Sequence, residues 1–184
     1  MPQHILLLRG INLASTNRIS MPELRAALEQ AGFGEPRTYL QSGNVVVSSD
    51  ANGAELARAA ERVIKQEFGF DVPVVQRTRA QLAKVVELNP LGETATEPKR
   101  YQVSFLSAKP ARAVVRRIEE AAAPGERVVV HGREVYAWHP ETIARSRLWA
   151  LLAGQRLGVT ATARNWTTVT KLLELAGEEV STRA

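Results

Sequence analysis

Two successive runs of strand, helix, strand, strand and helix signals predict an α+β protein. Its form would be two tandem ferredoxin-like (alpha-beta plait) subdomains, the second modified and ending in a helix. Three observations carry this. Continuous apolar strands, His4 to Leu8 and Tyr101 to Leu106, open each half. Hairpin signals recur at Ser42-Gly43 and Gly132-Arg133, and segments with helical periodicity separate the strands. The expected division is residues 1–78 for the first plait, 79–99 for a connecting helix and linker, and 100–184 for the second plait-like subdomain with its C-terminal helix.

The run from His4 to Leu8 is apolar throughout instead of alternating, which predicts a strand buried on both faces. Ser20 and Glu23 have capping-box spacing ahead of a helix with Leu24, Ala27, Leu28 and Ala31 on one face, and Gly32 fits its end. Arg37 to Gln41 and Asn44 to Ser48 predict a hairpin. Asn52 and Glu55 cap a second helix with Leu56, Ala60, Val63 and Ile64 inward, closed by Gly69. Val72 to Gln76 is the fourth strand, and Pro73 puts it at a sheet edge. Thr78 and Gln81 cap a short helix that stops at Asn89-Pro90, and Leu91 to Lys99 is linker.

The second pass runs from Tyr101–Leu106 through a helix with Val114, Val115, Ile118 and Ala122 inward. A hairpin of Val128–Val130 and Val135–Trp138 follows, then a helix near Ile143 to Ala153. The sixth position calls for a strand, yet Asn165 to Ala176 has helical periodicity, so the second plait reads as modified.

With 184 residues the chain can bury a real core. No apolar stretch approaches the roughly 20 residues of a membrane helix, so no membrane partner is expected. The opening Met1-Pro2-Gln3-His4 lacks a signal-peptide pattern. There is no cysteine, which excludes a disulfide framework and thiolate chemistry and makes a cytoplasmic location the expectation. Charge is uneven: residues 1–98 hold 10 Lys+Arg against 11 Asp+Glu, and residues 99–184 hold 14 against 8. Such a basic half can attract nucleic acid. However, 19 of the 24 basic residues are arginines, and most are scattered along helices as solvated faces.

Four polar fragments interrupt the apolar pattern: Arg9-Gly10-Ile11-Asn12, Gln41-Ser42-Gly43-Asn44, Asn89-Pro90, and Thr160 to Trp166. In a plait the end of the first strand, the loop after it and the turn between the second and third strands share one sheet edge. Arg9, Gly10, Asn12, Asn17, Arg18, Gln41, Ser42, Gly43 and Asn44 would meet there. They form a donor-rich set suited to phosphate or carboxylate. The competing reading is that the asparagines bond turn backbone. Near the C-terminus, Thr160 or Thr162 precedes a helix, and Arg164 and Asn165 would add a charge and an amide to a helix-end anion site. The competing reading makes Thr162 a cap and Trp166 a core residue.

Signatures of catalysis are few. His4, His131 and His139 lie on separate elements without metal spacing, and His131 and His139 read as solvated strand-end residues. No nucleophile elbow, Walker loop or dinucleotide fingerprint occurs, and no metal or cofactor is implied. The central strands Ile5–Leu8 and Val45–Val47 lack the aromatics on which plaits stack RNA.

The same residues carry a resemblance. Leu8 to Asn12, Met21 with Leu24, Thr38 to Asn44, Asn89-Pro90 and Thr162 to Thr168 together resemble the bacterial family called domain of unknown function 1697. Ala14-Ser15-Thr16 departs from its pattern. The resemblance implies two plait-type subdomains and no particular activity. The expected function is binding of a small anionic ligand, a nucleotide or phosphometabolite, in a polar cleft between the subdomains. The alternatives are a nucleic-acid accessory protein using Arg112, Arg116, Arg117, Arg145, Arg147 and Arg156, and an enzyme acting on a phosphorylated substrate by positioning and charge.

Overall fold

A computed structural model describes residues 1–178. The described chain divides into two compact units: residues 1–83 with residues 170–178, and residues 84–169.

The first unit runs β1 (Gln3–Leu8), α1 (Met21–Gln30), β2 (Gly34–Tyr39), β3 (Asn44–Ser48), α2 (Gly53–Phe68), β4 (Val74–Thr78), and then enters α3 (Arg79–Leu88). The sheet order is β2-β3-β1-β4, and every neighbouring pair is antiparallel. As the apolar run predicts, β1 lies beside β3 and is buried on both faces. Leu6, Leu8, Val45 and Val47 pack with Leu24, Leu28, Leu56, Ala60 and Ile64 of the two helices, while Ile5, Leu7 and Val46, pointing the other way, are equally buried. Each such side chain contributes about 1.5–3 kcal/mol by leaving water.

Local signals set most of the element ends. Asn52 Oδ1 accepts from the Glu55 amide at 3.0 Å, and Gly69 ends α2 in the left-handed region. After α1 the Phe33 amide donates to Leu28 O and the Gly32 amide to Glu29 O. With Gly32 at φ 88° and Phe33 buried, this is a Schellman stop. Thr78 and Gln81 form the full reciprocal capping box of α3, at 2.9 and 3.1 Å. The box expected at α1 does not form, because Ser20 occupies the cap position without a side-chain bond to the helix.

The second unit repeats the order: β5 (Tyr101–Leu106), α4 (Arg112–Ala121), β6 (Arg127–His131), β7 (Glu134–Trp138), a 3-10 turn (Ile143–Arg145), α5 (Arg147–Ala153), β8 (Ala161–Asn165), and then enters α6 (Trp166–Gly177), whose residues from Thr170 count with the first unit. Its sheet order, β6-β7-β5-β8, matches the first position for position. The strand that the sixth position calls for is present as β8, just ahead of the helical pattern. Ala161-Thr162-Ala163-Arg164 alternates with period two, Ala161 joining the helix-side core and Thr162 and Arg164 pointing to the other face. The polar alternate residues hid it, and the helical pattern that follows is α6, equivalent to α3. Thr162 is therefore a strand residue. The cap of α6 is Asn165, whose Oδ1 accepts from the Thr168 amide at 2.9 Å.

Candidate functional site

The first polar cluster forms where the plait order requires. Asn12 Nδ2 donates to Gln41 O at 2.7 Å and to Ile19 O at 3.0 Å, while its Oδ1 accepts from the Ile19 amide at 2.9 Å. One side chain thus ties the β1–α1 loop to the β2–β3 turn. Asn17 Nδ2 donates to Gly10 O, and Arg18 Nη1 to Ala14 O at 3.0 Å. Asn44, fully buried, donates to Tyr39 O and Ser42 Oγ. The amides of Asn12 and Asn44 therefore serve the turns. Gly43 has a packing reason as well, since a Cβ there would sit 2.7 Å from Leu8 Cβ and Ile11 Cδ1, and its carbonyl accepts from the Leu8 amide.

This edge also concentrates backbone strain. Asn12, Ala14, Asn17 and Leu40 all have φ between 49° and 60°, each at about 1–2 kcal/mol for a residue with a Cβ. Such strain collects where a surface must hold one shape. Between loop and turn lies a recess of about 530 Å³ lined by Asn12, Arg18, Ile19, Ser20, Glu23 and Gln41. Arg18, Ser20, Glu23 and Gln41 are exposed. Ser20 and Glu23, spaced to cap each other, instead border the recess. Of the residues expected at this edge, Asn12, Arg18 and Gln41 line it. Gly10, Ser42, Gly43 and Asn44 are not part of its lining, and the Arg9 amide bonds Pro73 O.

The expected residues near the C-terminus lie in the second unit, within strand β8. Thr162 and Arg164 are buried, and Arg164 Nη1 donates to Thr162 Oγ1 at 2.7 Å and Ala163 O at 2.8 Å. Burial draws the Arg164 guanidinium down to about 10, so it remains charged at neutral pH. Trp166 stacks on Tyr101, with centroids 4.7 Å apart.

Three features escaped the sequence reading. Arg77, on β4, is as buried as Arg164 and likewise donates to the carbonyl before it, Gln76 O, at 2.7 Å. The repeated tract of β-residue, spacer, Arg, capping residue and helix is the signal that finds it. His139 is not solvated: it is buried, and its Nδ1 meets Glu126 Oε1 at 2.7 Å. The two-residue turn at Gly132-Arg133 sets Arg127 opposite Trp138, so Glu126 and His139 come next in register. Burial alone raises the Glu126 carboxyl, but bonds from Ser146, the Ala123 amide and His139, with the charge on His139, outweigh it and leave its pKa lowered. Finally, Tyr101, Phe105, Tyr136 and Trp138 put aromatics on the central strands of the second plait. All are buried, and the Tyr136 hydroxyl donates to Val85 O at 3.2 Å, so that face is closed to stacking bases.

Arg117, Arg147 and Arg156 line one groove of about 650 Å³ with Glu120, Gln155 and small apolar residues. Among the described residues no helix is long and apolar enough to cross a membrane.

Two tandem plaits of matching strand order, with a polar loop–turn edge on the first, define the class. The chain belongs to the family described as Protein of unknown function (DUF1697), whose model matches residues 1–136. That match takes in the motifs of the opening edge and ends before Thr162. No curated protein matches the chain significantly. Among solved structures it is similar to the conserved bacterial protein SP0830 from Streptococcus pneumoniae, with a TM-score of 0.79 and 20% identity over 95% of this chain and 98% of that one. At that identity the likeness establishes the fold.

Proposed function

We propose that the protein is a cytoplasmic binding module for a small phosphorylated ligand, a nucleotide or sugar phosphate, held in the recess at the loop–turn edge of the first unit. The observation that carries this reading is the behaviour of Ser20 and Glu23. Both have the spacing to cap α1, yet Ser20 makes no cap bond, and the pair borders a recess with Arg18 and Gln41. The chemistry is complementary to a phosphorylated polyol. The Arg18 guanidinium suits a phosphate, and Ser20 and Gln41 add a hydroxyl and an amide. Glu23 would repel a bare anion but accepts hydrogen bonds from ligand hydroxyls. The volume falls within the ordinary range for small-ligand sites, and the strained, cross-bonded loop supplies a shape fixed in advance.

The test is a thermal-shift series with nucleoside monophosphates and sugar phosphates. A native-state ligand raises the melting point by mass action. Arg18→Ala and Glu23→Gln should each remove the shift with the ligand-free melting point unchanged, because both side chains are exposed. Stabilisation that survives both substitutions would place the ligand elsewhere, and no stabiliser among the phosphates would end the reading.

A further inference from the structure

The groove between α4 and α5 has a different character from the recess, and its case is independent. On α4, Arg117, Glu120 and Ala121 stand at positions i, i+3 and i+4. On α5, Arg147, Ala150 and Leu151 stand at i, i+3 and i+4, and Gly154 follows as the residue that ends the helix. These spacings put each set on one helix face, so the groove runs between two helix surfaces, with Ala121, Ala150 and Leu151 as its apolar lining. Gln155 and Arg156, in the turn after α5, complete it. Arg117 Nη1 reaches Arg156 O at 3.4 Å, linking the two sides. Arg117, Arg147 and Arg156 are exposed, as are Arg112, Arg116 and Arg145 on the same two elements and the 3-10 turn.

We infer that this groove is a binding surface for the phosphate backbone of a double-stranded nucleic acid, engaged without reading sequence. Three guanidiniums against the single carboxylate of Glu120 leave the lining cationic, and an arginine fork fits a phosphate. The lining holds no aromatic side chain. Single strands are gripped largely by base stacking on aromatics, and the aromatic sheet face of this unit is buried. A duplex presents its phosphates outward and needs no such platform, so backbone contact is what this surface offers.

Fluorescence anisotropy with a short mixed-sequence duplex and its single strand tests the inference on the intact chain. Three phosphate contacts give a log–log salt slope of about −2.7, equivalent to about a forty-fold loss of affinity between about 50 and 200 mM salt. Arg117→Ala/Arg147→Ala/Arg156→Ala should flatten the slope and lose duplex binding. Arg58→Ala/Arg62→Ala, which removes exposed charge from α2 instead, should bind nearly as the wild type does. Glu120→Gln should tighten binding severalfold at low salt, which gives a readout that does not depend on losing arginines. The inference is overturned if the wild type fails to retain duplex at about 50 mM salt, or if the α2 variant loses as much affinity as the groove variant. Tighter binding of the single strand than of the duplex would overturn it as well.

Discussion

Arg77 and Arg164 hold the same place in the two plaits. Arg77 on β4 faces Ile5 of the central strand β1, and Arg164 on β8 faces Val103 of the central strand β5. Each is buried, each donates to the carbonyl of the residue before it, and each is followed by a residue that caps the next helix. A buried guanidinium at an edge strand costs desolvation that its hydrogen bonds must offset. Keeping one in both repeats marks it as part of how each unit is built.

Arg77→Ala and Arg164→Ala should therefore each destabilise the fold by about 2–4 kcal/mol through lost bonds and an unfilled cavity. Urea unfolding of the two variants measures this. A loss near zero for either would show that its guanidinium is not a structural element.

Gly43 and Gly10 separate packing from conformation. Both have positive φ, but a Cβ at Gly43 meets Leu8 and Ile11 whereas one at Gly10 meets nothing within 4 Å. Gly10→Ala should cost about 1–2 kcal/mol, the left-handed penalty alone. Gly43→Ala should cost more by a further 1–3 kcal/mol or so of overpacking. Equal midpoints for the two variants would show that the turn relaxes around an added methyl.

The caps should rank in the order of their bonds. Ser20→Ala should change stability by under about 0.5 kcal/mol, because the hydroxyl makes no cap bond. Ser146→Ala should cost about 1–2 kcal/mol, because its hydroxyl caps α5 at the Trp149 amide and bonds Glu126. Reversal of that order in denaturant midpoints would reassign the cap of α1.

Glu126 should give the protein an acid-sensitive component. Its carboxyl has a lowered pKa in the folded state, so its contribution is present above the ordinary value of 4.5 and lost as pH falls through the folded value. Glu126→Gln should remove that part of the acid limb. Urea midpoints followed from about pH 6 down to about pH 3 should converge between wild type and variant. Parallel curves would mean that the pair with His139 has no net effect on folding.

The sequence determined most of the fold by local means. Continuous apolar runs place the central strands, and Asn52, Gly32, Thr78 with Gln81, and Asn89-Pro90 set helix ends through backbone chemistry that acts over a few residues. It also located the loop–turn edge, because plait order alone brings the end of β1 beside the β2–β3 turn. The tertiary structure decided how each polar side chain is used. Asn12 and Asn44 satisfy turn carbonyls, Ser20 forgoes its cap, Arg164 and His139 are buried, and α4 and α5 bring Arg117, Arg147 and Arg156 to one groove. Polarity in a sequence says that a group must be hydrogen-bonded or solvated. Which of the two occurs depends on the neighbours that distant segments supply, and strand β8 was missed for the same reason: its alternate residues are polar, and only pairing with β5 makes them a strand.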